Sequence, residues 1–194
     1  MTRPVAVAIT GGIGAGKSEA LKAFARHGAA VVSSDEIVHE LLGHEEVKQA
    51  VVERLGHGVV APDGSLDRGA IASVVFNDRE ALDRLEQLLH PLVSAEYLRW
   101  REQLAELPDG PRVCVTEVPL LYEAGSEAHF DKVVAVTAPA GVRRERSKAA
   151  VEERERRLLP DEEKMARADY AYVNTGSLDE LDAFVAGVME DLAP

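Results

Sequence analysis

Residues Val5 to Thr10 read VAVAIT, an almost unbroken apolar run that ends in a cluster of glycines, the pattern of a strand buried on both faces. The next segment, KSEALKAFARHG, changes to helical spacing, and Gly28 stands where a left-handed C-terminal cap belongs. AAVVSSD (29–35) predicts a second strand, and EIVHELLG and EEVKQAVVERLG predict helices that each stop at a glycine. A Pro-Asp-Gly turn follows at 62–64, and no β-rich run returns before residue 112, so the middle block is expected to be helical. Within it Asn77 or Asp78 can cap REALDRLEQLLH, and Pro91 is placed to open a further long helix, PLVSAEYLRWREQLAEL. RVCVTEV (112–118), KVVAVTA (132–138) and DYAYVN (169–174) predict strands three to five. Ser177 and Glu180 then form a capping box ahead of a last amphipathic helix with Leu181, Phe184, Val185, Val188 and Leu192 on its apolar side.

Strands separated by helices long enough to cross over imply an α/β protein with a mainly parallel sheet covered on both sides. The 194 residues, 46% of them hydrophobic, suffice for one domain with a substantial core. A net charge of -12 argues against gripping a nucleic-acid backbone over a wide surface. Cys114 is the single cysteine, so no internal disulfide and no four-thiolate metal site can form, and its apolar setting suggests a buried structural thiol. The N-terminal residues fit neither a signal peptide nor an anchor, and no apolar stretch reaches 18 residues, so a cytoplasmic protein without membrane partners is expected.

The glycines between the first strand and first helix carry the sharpest chemistry. Gly11, Gly12, Ile13, Gly14, Ala15, Gly16, Lys17 and Ser18 satisfy GxxxxGK[ST] at every defined position. At average glycine usage such a match arises by chance in on the order of one chain in a hundred of this length. Its place between a buried strand and a helix suits a loop whose backbone N–H groups surround phosphates at a helix N-terminus. Lys17 would then reach the β and γ phosphates and Ser18 would ligate Mg²⁺; the plainer alternative is a glycine-rich turn beside a surface lysine. No Asn-Lys-x-Asp segment follows the late strands, which argues against a GTPase, and the short chain argues against motors and transporters. A small-molecule kinase using ATP is the expected class.

An acceptor should lie beyond the carboxyl ends of the strands. Asp35, at the end of strand two, could take the proton of an attacking hydroxyl or could simply cap the following helix. Glu117, at the end of strand three, occupies the place of an acidic residue that supports Mg²⁺. The following PLLYE, residues 119–123, suggests an apolar wall for an organic substrate, or else a core loop. Segment 143–167 holds nine Lys or Arg against seven Asp or Glu in an otherwise acidic chain. Such mixed charge is commonly a solvated helix face, but after strand four it also suits a lid, with Arg143, Arg146, Arg154 and Arg157 on one side.

In chain order, TGGIGAGKS, Asp35, DGSLDR (63–68), HPL (90–92), VPLLYE (118–123) and ADYAYVNTGS (168–177) resemble the dephospho-coenzyme A kinase family over nearly the whole length. The resemblance implies a three-layer P-loop kinase fold with a five-stranded parallel sheet, a helical substrate-binding insertion and a short lid. As one domain it would comprise a core (about 1–35, 110–140 and 168–194), an acceptor-binding insertion (about 36–109) and a lid (about 141–167). It implies ATP-dependent phosphorylation of the ribose 3′-hydroxyl of dephospho-coenzyme A, the last step of coenzyme A synthesis; a monomer or weak homo-oligomer is expected. Asp35 would be the base, Lys17 would act on the transferred phosphate, and residues Gly12 to Ser18 would hold ATP together with Arg146 and Asn174. Arg68, His90, Pro119, Leu120, Leu121, Tyr122 and Glu123 would bind the acceptor with Asp35. Two positions depart from the family pattern: Leu158 stands near a position where many members carry glutamine, and Glu19 where threonine is common. Glu19 is expected to point away from the nucleotide.

Overall fold

The structure is a computed structural model that describes residues 3–146, 158–175 and 177–192, with the side chains of 144–146 outside the described set. Five strands form one parallel sheet: β1 (Val5–Thr10), β2 (Ala30–Ser33), β3 (Val113–Glu117), β4 (Lys132–Thr137) and β5 (Tyr170–Val173), in the order β2-β3-β1-β4-β5. Each begins and ends within a residue or two of its expected bounds; the central β1, β3 and β4 are runs of mostly small and β-branched apolar residues, while the edge strands β2 and β5 are shorter and only partly buried. β1 is central, with Val5 opposite Val113 and Ile9 opposite Glu117, so the glycine loop leaves the sheet beside the end of β3.

The helices are α1 (Lys17–Arg26), α2 (Ser34–Leu41), α3 (Glu45–Leu55), α4 (Arg68–Asn77), α5 (Arg79–Glu106), α6 (Ala140–Arg146), α7 (Asp161–Arg167) and α8 (Leu178–Leu192). One face of the sheet, with Val7, Ile9, Val115, Val134 and Val136, packs with Leu21 and Phe24 of α1 and Leu181, Val185 and Val188 of α8. Ala8 and Val133, pointing the other way by the two-residue period of a strand, pack with Val118, Leu121 and Tyr122. The expected capping box forms only in part. The Glu180 N–H donates to Ser177 Oγ (3.3 Å), but the Glu180 carboxylate accepts from Thr175 Oγ1 (3.4 Å).

The chain forms two compact units, Met1–Ser34 with Leu98–Pro194, and Asp35–Tyr97. The second has its own core of Val47, Val51, Val59, Ile71, Leu85 and Leu89, drawn from helices as the absence of β-type runs implies. Its helix starts are well marked: Asp67 accepts from the N–H groups of Gly69 and Ala70, and Asp78, rather than Asn77, accepts from that of Ala81. One expectation fails here. Pro91 does not open a helix but lies inside the 28-residue α5. Proline leaves the Gln87 carbonyl without its helical N–H partner; the apolar spacing continues through it, however, from Leu85 and Leu89 to Val93 and Tyr97, and their burial holds the helix together.

Candidate functional site

The glycine loop joins β1 to α1, and its backbone is shaped by close packing. A Cβ on Gly11 would lie 1.9 Å from the Val136 carbonyl oxygen, so β4 could not approach the loop if any other residue stood there. Gly16 precedes α1 in the left-handed region (φ 99°) and offers no side-chain cap, leaving the helix start to other partners. Lys17, a residue only 9% exposed, donates its ammonium to the Gly12 carbonyl (3.0 Å) and thus lies along the loop rather than out in solvent. Ala15 is buried in the core, and the side-chain amide of the equally buried Asn174 donates to its carbonyl (2.9 Å). Asn174 therefore fixes the loop backbone from β5.

Ser18, the exposed second residue of α1, donates its hydroxyl to Glu117 Oε2 (3.2 Å), and Glu117 is itself buried at the end of β3. One hydroxyl beside one carboxylate fits Mg²⁺, which keeps most of its shell for water and phosphate oxygens. Among the described residues no group of three His, Cys, Asp or Glu could hold a metal unaided. Glu19 pairs with Lys22 on the helix surface (2.7 Å).

The Pro119–Glu123 segment is turned inward. Leu121 is fully buried, Tyr122 nearly so, and Lys164 of α7, 1% exposed, pairs with Glu123 Oε1 (2.8 Å) and donates to the Pro119 carbonyl (3.1 Å). That carbonyl also accepts from Thr10 Oγ1, and Glu123 Oε1 from the Leu159 N–H (2.9 Å). The Arg167 guanidinium lies 4.0 Å from the centre of the Tyr122 ring, and burial raises the Tyr122 hydroxyl above its ordinary pKa although Arg167 opposes this. Leu121, Tyr122 and Glu123 thus act as braces, while Pro119, Leu120 and Glu123 keep partial exposure. Lys164 gave no signal in the sequence beyond being one cation in a mixed-charge segment.

Arg143 of α6 and Asp161 at the start of α7 meet over the loop, with Nη1 3.3 Å from Oδ2, and Thr137 Oγ1 donates to the same oxygen (2.5 Å). These three residues, Gly12, Leu158 and Met165 line a cavity of about 840 Å³. Arg146, expected to contact ATP, has its side chain outside the described residues, and Arg154 and Arg157 lie outside them altogether. In the Asp35–Tyr97 unit, Asp35 is exposed and sits in the first turn of α2, which starts at Ser34; it is inside the helix instead of ahead of it. His39 follows one turn later, and its Nδ1 lies 3.3 Å from Nη1 of Arg68, the first residue of α4. His90 is half-buried in α5. Cys114 is buried in β3, which pushes its thiol up to about 11 and removes it from ordinary thiolate chemistry. No helix among the described residues is long and apolar enough to cross a membrane.

Residues 5–180 match the family model of dephospho-CoA kinase. The dephospho-CoA kinase of Mesorhizobium japonicum is 38% identical, the alignment covering 97% of this chain and 96% of the relative, and that of Aquifex aeolicus is 34% identical over 96% of each. Among solved structures, TT1252 from Thermus thermophilus superposes with a TM-score of 0.80 at 33% identity over all of both chains. The dephospho-CoA kinase from Campylobacter jejuni (TM-score 0.71, 24% identity, 97% and 96% covered) and a shikimate kinase from Bacteroides thetaiotaomicron (0.55, 16%, 98% and 99%) share the fold. A glycine loop bearing Lys17 and Ser18 against Glu117, in a chain that matches over nearly its full length, places this protein in the dephospho-CoA kinase family.

Proposed function

We propose that the protein transfers the γ-phosphoryl group of ATP to the ribose 3′-hydroxyl of dephospho-coenzyme A, giving coenzyme A and ADP. The observation that carries this reading is the phosphate-type loop, with Lys17 lying along it and Ser18 against Glu117, in a chain of this family. The acceptor oxygen bonds to the γ-phosphorus as the bond from that phosphorus to the β–γ bridging oxygen breaks, and the hydroxyl proton passes to the Asp35 carboxylate. Lys17 exchanges the Gly12 carbonyl for phosphate oxygens, where its charge offsets the negative charge that develops. Mg²⁺, held by Ser18 and supported by Glu117, neutralises phosphate charge when bound.

Residues Gly12 to Ser18 cradle the phosphates, Asn174 keeps the cradle in shape, and Arg146 completes the lid side of the nucleotide site. The Asp35–Tyr97 unit supplies the acceptor site, with Arg68 and His90 reading the acceptor and Asp35 taking its proton. Pro119 and Leu120 offer it apolar contact, braced by the three residues behind them. The protein acts on these small molecules in the cytoplasm, as a monomer or weak homo-oligomer.

Purified protein with ATP and Mg²⁺, offered dephospho-coenzyme A, AMP, a nucleoside and shikimate in turn, is expected to form ADP with the first alone. Preference for another acceptor overturns the substrate; ATP binding with no acceptor-dependent ADP points instead to a nucleotide-binding regulator. Asp35→Asn is expected to lower kcat by about 10²–10⁴ with the fold intact. A loss under about tenfold would leave Asp35 only its favourable place at the helix start.

A further inference from the structure

Three polar side chains from separate elements converge where the glycine loop begins. Thr137 ends β4, Arg143 belongs to α6 and Asp161 opens α7, and the Asp161 carboxylate joins the other two through one oxygen. The Arg143 and Asp161 side chains are only 18% and 19% exposed. A Cβ added to Gly12 would lie 2.7 Å from Arg143 Nη1 and 2.9 Å from Asp161 Oδ1, so both charged heads rest against bare loop backbone. All of them face the cavity of about 840 Å³ described above.

A carboxylate beside a phosphate-binding loop is an electrostatic anomaly. Alone it would repel a triphosphate, and such part-buried charges are screened less than fully exposed ones. Its two partners change its effect. The Thr137 hydroxyl donates to Oδ2 and fixes the carboxylate, and the carboxylate in turn orients the Arg143 guanidinium, a planar fork suited to bidentate contact with anions, over the loop and toward the cavity. Lysine, a single point charge, could not serve both anions with this geometry.

We propose that Asp161, fixed by Thr137, is a positioning residue that sets Arg143 over the glycine loop to receive the phosphate oxygens of the nucleotide. This rests on the reading of the loop as the ATP site and does not depend on which acceptor is used. A distinctive consequence follows from the charges. Arg143→Met leaves the Asp161 carboxylate uncompensated beside the phosphates, whereas the double variant Arg143→Met/Asp161→Asn removes the repulsion together with the attraction. The single arginine variant should therefore bind ATP worse than the double.

The test measures ATP·Mg²⁺ affinity by calorimetry on the full chain without acceptor, then KM and kcat with acceptor, and the melting temperature of each variant. Asp161→Asn, nearly isosteric, is expected to weaken ATP binding about five- to tenfold while the acceptor KM stays within about twofold. Arg143→Met is expected to lose about thirtyfold or more, and the double variant to regain most of the difference from Asp161→Asn. Thr137→Val should lose about two- to threefold, and Thr137→Ser, which keeps the hydroxyl, should recover most of that loss. Additive losses, tighter ATP binding by Asp161→Asn, or a lowered melting temperature with unchanged ATP affinity would each overturn the proposal, the last by reducing Asp161 to a staple between α7 and β4. If Asp161→Asn does not fold, the Thr137 pair decides the question by the same affinity measurement. A wild type that binds ATP but does not phosphorylate dephospho-coenzyme A would refute the acceptor assignment and leave this test in force.

Discussion

The glycine loop and the Pro119–Glu123 segment both follow strand ends, β1 and β3, and both read as ligand-facing turns, but the structure builds them in opposite ways. The loop keeps bare backbone at Gly11 and Gly16, leaves the start of α1 without a side-chain cap, and has Lys17 resting on the Gly12 carbonyl. The second segment is locked from behind: Leu121 fills the core, and the buried Lys164, some forty residues later, holds both Glu123 and the Pro119 carbonyl. A motif defined by what must be absent, side chains, is legible locally. A segment whose role depends on a distant cation is not, since its carboxylate and aromatic ring look the same in sequence whether they face a ligand or a lysine.

Breaking the lock should cost more than any change to the loop. Lys164→Met strands the Glu123 carboxylate in an apolar setting and is expected to destabilise the fold by about 3–5 kcal/mol in chemical unfolding, with Lys164→Met/Glu123→Leu recovering much of it. A loss below about 1 kcal/mol would mean that the pair is no brace. Lys17→Ala should act on chemistry instead, lowering kcat by about 10²–10³ while the melting temperature barely moves. If stability fell and turnover did not, the contrast between the two segments would collapse. Gly11→Ala drives a methyl into the Val136 carbonyl and should lower stability by about 1–3 kcal/mol, because backbone must move to admit it.

The smallest effect is expected outside both segments, at Asp169. Burial raises its carboxyl, but the Lys132 ammonium and the Val133 N–H outweigh burial and hold it below the ordinary carboxylate value. Its folded pKa is depressed, so the stability it contributes is present above the unfolded value of about 4 and is lost as pH falls through the lowered folded value. Asp169→Asn should therefore cost under about 1 kcal/mol at pH 7 and flatten the acid limb of the stability profile. An unchanged acid limb would show that this exposed pair does not couple to folding.

Much of the architecture was legible because local chemistry dictates it. Alternation and apolar runs located all five strands, glycines at 28 and 56 closed α1 and α3, and the helical middle block was marked by what it lacked. Pro91 shows the limit of local rules, since a proline that should start a helix is carried through α5 by buried neighbours on either side. Asn174 shows another: it was expected to help hold ATP, and the contact that fixes it, its amide donating to the Ala15 carbonyl, is with a partner 159 residues away. Arg143 stood among several candidate lid arginines, and nothing in the sequence could single it out, because its place depends on Asp161 and Thr137 arriving from two other elements.

The sequence by itself determined the glycine loop, since close backbone approach needs glycine, and the lysine and hydroxyl at set offsets from it. It also determined the strands and the family, through periodicity and through short motifs spread along the whole length. The tertiary structure decided the strand order β2-β3-β1-β4-β5, the inward turn of Leu121, Tyr122 and Glu123, and the meeting of Thr137, Arg143 and Asp161 over Gly12. The physical reason is the same in each case: pairing across a sheet, burial of a charge and orientation of a guanidinium are set by partners distant in the chain. Those partners become neighbours only when the sheet and its helices pack.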